Sequence, residues 1–163
     1  MFTARAEAEL GGDERQLSYL IQFNRGAAEW LRGRLTQAER VIAPAIAALR
    51  SAGLTTIAAW GGYQLARNQR AQGRLDEAAR TAQEVLDITV LPGRPPDPGA
   101  GPGYVALAEV AYQRNDLDTA LRQVTEGIPL CRQFVHTAPL SAGLATFEHE
   151  RIQVGACSVN RGR

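Results

Sequence analysis

Apolar residues recur along most of this chain at spacings of three and four, the period of a helix that buries one face. The clearest run, Ile42, Ala45 and Ile46, has counterparts at Ala82, Val85 and Leu86 and again at Val124, Gly127 and Ile128. Each run follows the same short signature. Gly33, Arg34, Leu35 and Ala38 are echoed by Gly73, Arg74, Leu75 and Ala78, and more loosely by Asn115, Asp116, Leu117 and Ala120. The anchors Gly33, Gly73 and Asn115 stand 40 and 42 residues apart. The chain therefore reads as a repeat of helix, tight turn and helix, stepped at about forty residues.

Each residue type in the signature has a physical reason. Glycine or asparagine lets a helix end in the left-handed conformation. Asp76 and Asp116 are expected at the start of the second helix, where a carboxylate accepts backbone N–H bonds and opposes the positive end of the dipole. Leu35, Leu75 and Leu117 are expected as buried anchors, and Ala38, Ala78 and Ala120 are small enough for two helices to approach closely. In the first helices Leu65 with Ala66 and Leu107 with Ala108 hold equivalent places, with Gly26 as the small residue of the first copy.

The pattern predicts a leading helical segment to about Leu10, then helix pairs at about 13–32 with 35–51, 54–72 with 75–89, and 104–114 with 116–135, and a seventh helix at about 139–154. Leu91 to Gly103 reads as a long non-helical loop, because its prolines lack donors and clash with a preceding turn. The expected division is the end of a preceding helical unit over residues 1–12, repeats over 13–52 and 53–90, the loop over 91–103, a third repeat over 104–136, and an incomplete fourth repeat with a tail over 137–163. After Gly155 the expected Leu and Ala positions hold Cys157 and Asn160. Stacked repeats need a covered or polar end, so this predicts a fragment or a truncated array.

The large-and-small pattern resembles the tetratricopeptide repeat in a longer-period form. The third copy narrows the resemblance, with Leu107-Ala108-Glu109-Val110-Ala111-Tyr112, Asn115-Asp116-Leu117-Asp118 and Val124-Thr125-Glu126-Gly127-Ile128. It resembles the tetratricopeptide region of MalT-type regulators, the ATP-dependent members of the LuxR class, from about Gly12 to about Gly155. The resemblance implies an all-α, right-handed α-solenoid of about three helix pairs with partial flanking helices. It also implies a segment that lies between an ATP-hydrolysing switch domain and a DNA-binding helix-turn-helix, receives an inducer or a regulatory protein, and takes part in self-association. Neither flanking domain is carried by the 163 residues, so ATP hydrolysis and DNA binding transfer to no residue here. The alternative reading is a free-standing adaptor that holds two proteins together.

Composition narrows the chemistry further. All 18 basic residues are arginine, which removes the lysine of a Walker A loop, a lysine Schiff base and an SxxK nucleophile pair. The net charge of +1 gives no electrostatic footprint for direct nucleic-acid binding. Two cysteines, Cys131 and Cys157, make no disulfide framework, and Cys131 is expected to pack as a small hydrophobe. Met1 to Leu10 mixes Arg5 with Glu7 and Glu9, unlike a secretory signal. The most apolar stretch, Val41 to Leu49, is far below the roughly 20 residues that cross a bilayer. A cytoplasmic protein without membrane contact is expected.

No catalytic set, cofactor site or metal site emerges. Glu148-His149-Glu150 lacks the second histidine of HExxH, since Gln153 stands in its place, and His136 is isolated. Gly99, Gly101 and Gly103 follow prolines instead of a strand, unlike a phosphate-binding loop. Pro92, Pro95 and Pro98 have PxxP spacing, which could suit polyproline II recognition but is better explained by loop geometry. Repeat register is more informative. Positions ten, six and three before each anchor share one stripe of the first helix. They are Phe23, Ala27 and Trp30, then Tyr63, Arg67 and Arg70, then Val105, Glu109 and Tyr112, then Ala145, His149 and Ile152. The candidate binding residues are therefore Phe23, Trp30, Tyr63, Arg67, Arg70, Glu109, Tyr112 and His149 on a concave face. The mixture suits a protein or peptide partner or a small anionic inducer; against it stands inter-repeat packing with a solvated charged face.

Overall fold

The structure, a computed structural model, describes residues 18, 19 and 21–133. Within them lie six α-helices and no strand. The first, α1, covers residues 21–31, with 18 and 19 also helical. It is followed by α2 (Leu35–Ser51), α3 (Thr55–Ala71), α4 (Leu75–Thr89), α5 (Ala100–Gln113) and α6 (Leu117–Gln133). No helix among the described residues is long and apolar enough to cross a membrane. The expected segment before residue 13, the helix at 139–154 and His136, His149, Cys157 and their neighbours lie outside the described residues.

The helices pair as the signature predicts. Gly33 and Gly73 take φ of 73° and 75°, and Asn115 takes 59°. Each closes the preceding helix with two backbone bonds: Gly73 N–H donates to Arg70 C=O and Arg74 N–H to Gln69 C=O at 2.9 and 3.0 Å, with equivalents at Gly33–Arg34 and Asn115–Asp116. These bonds satisfy carbonyls that the helix end would otherwise leave without partners. Gly53, at φ 73°, makes the same turn between α2 and α3. Left-handed residues thus recur every twenty residues from Gly33 to Gly93, and the forty-residue repeat is two similar half-steps.

Small residues set how closely the helices approach. Ala38, Ala78 and Ala120 are fully buried. A Cβ on Gly26 would strike Ile42 of the partner helix, and one on Gly101 would lie 2.7 Å from the backbone nitrogen of Cys131. Cys131 is itself buried, where α5 crosses α6.

First helices also pack on first helices. α3 packs on α5, and Phe23 of α1 lies against Gly61 of α3. The second helices stay further apart, linked by surface contacts such as Arg50 to Glu84 at 2.9 Å. The first helices α1, α3 and α5 therefore form the more closely packed side of the array, termed its inner face.

Leu35, Leu75 and Leu117, expected to be buried, are only half-buried, and two further expectations are corrected. The loop is shorter than 91–103, because α5 begins at Ala100 and takes in Gly101, Pro102 and Gly103. Pro102 falls in the first turn, where its missing donor would have had no intrahelical partner. Asp97 prepares that start: its side chain accepts from Gly99 N–H at 2.7 Å, and its carbonyl accepts from Ala100 N–H at 2.8 Å. The second correction concerns Asp76, which stands in the first turn of α4 as expected but makes no cap. Arg74 occupies the capping place of α4, and the Asp76 carboxylate meets the Arg114 guanidinium instead. Asp116, two positions earlier relative to its anchor, does cap α6 by accepting from Thr119 N–H at 3.1 Å.

Candidate functional site

The inner face is built from α1, α3 and α5, and repeat register separates its three rows. The row ten residues before each anchor is interior: Phe23, Tyr63 and Val105 are 4%, 0% and 0% exposed. These side chains fill the seams between successive first helices, so Phe23 and Tyr63 are packing residues and not an open surface. A larger gap would open there if they were removed. The rows six and three before the anchor are where the face meets solvent. Trp30, Arg67, Arg70 and Tyr112 are half-buried, and Glu109 is nearly buried at 9% exposed.

Three repeats contribute to one cluster. The Arg67 guanidinium carbon stands 4.6 Å from the centre of the Trp30 ring and 5.5 Å from that of Tyr63. The cation of the second repeat is thus held by a ring from the first and a ring from its own helix, a geometry in which partly desolvated cation–π attraction contributes about 1–2 kcal/mol. Trp60, one turn before Tyr63, extends the aromatic row with ring centres 5.7 Å apart. The heptad-like offset of three residues is a signal that could have added Trp60 to the stripe.

Arg70 faces Glu109 of the third repeat at 3.4 Å. Burial raises the Glu109 carboxyl above its ordinary value, and the positive charges of Arg70 and Arg67 offset only part of that. Burial likewise drives the Tyr63 phenol upward, helped by the nearby Glu109 carboxylate and opposed by the two arginines. Several polar atoms of this cluster are buried with no hydrogen-bond partner: Trp30 Nε1, Tyr63 Oη, Arg67 Nε, Arg70 Nε and Glu109 Oε2. Such groups are normally satisfied in native interiors, and here they converge on one face.

Other buried polar residues have plain structural work. Asn68 Nδ2 donates to Leu35 C=O at 2.9 Å, tying α3 to the start of α2. Thr81 Oγ1 donates to Gln69 Oε1 at 2.8 Å between α3 and α4. The sequence pattern carries no mark of these clamps, because amides and hydroxyls occur as often on solvated faces.

Outside the inner face, the hollow between α2, α3 and α4, lined by Ile46, Gly62, Leu65 and Val85 among others, holds about 30 Å³, room for a single water. A shallower hollow of about 350 Å³ lies between Tyr19, Gln22, Arg40 and Pro44. The Pro-rich loop offers no continuous polyproline II ligand, since Gly93 turns left-handed between Pro92 and Pro95 and Asp97 N–H is tied to Thr89 C=O at 2.9 Å.

With helix pairs, step and turn chemistry in place, the sequence matches the family described as the MalT-like TPR region over residues 5–149. The chain belongs to that family. A search of curated proteins gave no match. The MalT-like match covers all six described helices, so the inner-face cluster lies wholly inside the family region. Membership establishes a helical-repeat module of the kind that typically mediates protein interaction.

Proposed function

We propose that this MalT-like repeat region is a non-catalytic binding module, the ligand-sensing or protein-interaction segment of a MalT-like transcriptional regulator. Its working surface is the inner face of α1, α3 and α5. The observation that carries this reading is the convergence of Trp30, Arg67, Arg70 and Glu109, from three repeats, on one half-open surface where polar atoms lack partners. A single domain face assembled from three separate repeats responds to changes in repeat stacking, which is what a sensor requires. Nucleotide hydrolysis and DNA binding would fall to other segments of such a regulator.

Site-specific photo-cross-linking tests the reading. A photoreactive residue replaces Ala27, on the inner face between Phe23 and Trp30, or Gln83, exposed on the outer helix α4. Expressed in the native cell, the position-27 variant is expected to yield a discrete adduct with a protein or small molecule, with the position-83 variant giving at most background. Equal adducts from both positions, or adducts from position 83 alone, would reject the inner face as the working surface.

A further inference from the structure

We propose that Arg67 is the anchor for an oxyanion, a carboxylate or phosphate group carried by the ligand of the inner face. The inference rests on the binding role given above and adds the chemical class of what is bound.

The charges of the cluster do not balance. Two guanidinium groups, Arg67 and Arg70, face a single carboxylate, Glu109, and that carboxylate is engaged by Arg70 at 3.4 Å. Arg67 makes no ion pair within 4 Å among the described residues, its Nε is buried without a hydrogen-bond partner, and Glu109 acts on it only as a more distant charge. The contacts of Arg67 are the faces of Trp30 and Tyr63. Rings stacked over a guanidinium fix its plane and shed its water, yet they accept none of the N–H bonds that point outward in that plane. The free edge is the fork that fits a carboxylate or phosphate with two parallel bonds. The Trp30 indole N–H, buried without a partner, adds a donor from the ring that Arg67 stands over. Donors therefore outnumber acceptors around a pre-oriented cation, which is the arrangement that selects an anion over a neutral or cationic ligand. Glu109 acts against the anion: its Oε2 is unpartnered, and its negative charge tempers the affinity of the site.

The two arginines and the glutamate thus predict opposite effects of neutralisation. Isotope-labelled protein is titrated with inorganic phosphate, with a short peptide bearing a free C-terminal carboxylate, and with the same peptide amidated. The Trp30 indole N–H resonance, assigned with Trp30→Phe, is followed. A saturable shift is expected with at least one of the two anionic probes and none with the amidated peptide. Arg67→Gln weakens binding about ten-fold or more, as loss of a charge-assisted pair requires. Glu109→Gln tightens it about two- to five-fold by removing a repelling charge. Arg50→Gln, on the outer side, leaves it unchanged. Circular dichroism confirms that each variant is folded. A response to the peptide carboxylate but not to phosphate identifies a chain terminus or acidic side chain, and the reverse identifies a small phosphorylated molecule. Absence of any saturable response in the native protein, or equal affinity in Arg67→Gln, overturns the proposal. If adducts still form from position 27 under those outcomes, the inner face binds a partner by other means, and only the anion anchor fails.

Discussion

Glu109 is the residue at which position and chemistry disagree most. A carboxylate beside two arginines would ordinarily titrate low, but its near-complete burial raises its pKa instead. A carboxyl raised on folding contributes stability that is fully present below its unfolded pKa and is lost as the pH climbs through the folded value. Holding the ionised form at neutral pH therefore costs stability, and a glutamine of the same shape avoids that cost. Thermal melts of the native protein and Glu109→Gln are expected to diverge as the pH rises from about 4 to 7, the variant gaining relative to the native chain. A difference independent of pH, or one that grows on acidification, would show that the ion pair with Arg70 dominates. Tyr63, Arg67 and Arg70 face the same carboxyl and are common to both proteins, so the comparison isolates residue 109. The register placed this glutamate on the stripe correctly. Its burial was not legible, because that depends on how tightly α3 and α5 pack, and such closeness is set by small residues on both helices.

At the scale of the element, the signature was readable wherever a local bond dictates it. Gly33, Gly73 and Asn115 had to be left-handed to end their helices, and all three are. Asp116 caps because it immediately precedes the first helical residue; Asp76, displaced by two positions relative to its anchor, cannot reach the free N–H groups and turns to Arg114. Proline misled the reading of α5, since a proline forbids the interior of a helix but suits its first turn. The glycines around Pro102 serve packing instead of a loop. An alanine at Gly101 would bring its Cβ to 2.7 Å from a backbone nitrogen and 2.8 Å from Sγ of Cys131. The backbone of α6 cannot yield as a flexible side chain would. Gly101→Ala is expected to destabilise the protein by about 1–3 kcal/mol despite its better helix propensity. Urea denaturation checks this, and a midpoint equal to or above the native value would contradict the close crossing of α5 and α6.

Across the whole molecule, successive repeats are joined by both apolar seams and charge. Phe23 and Tyr63 fill the seams, while Arg74 of the second repeat meets Glu39 of the first and Arg114 of the third meets Asp76 of the second. Exposed pairs such as the last contribute little individually, so the seams carry the stacking and the pairs set register. The repeat step, the helix order and the inner stripe were all visible in the spacing of apolar positions. The division of that stripe into a buried row and an open row was not, because a 3.6-residue period marks the buried side of a helix without saying how far a neighbouring repeat covers it.

The most direct test of the inner face as the binding surface is to map contacts without choosing a ligand beforehand. Backbone amide resonances of the labelled chain are followed against a chemically mixed library of anionic, neutral and cationic small molecules. The structure predicts that anionic compounds dominate the hits and that perturbed amides cluster at residues 27, 30, 67, 70, 109 and 112. Perturbations gathered instead on α2 and α4, or at the hollow between Tyr19 and Pro44, would contradict it.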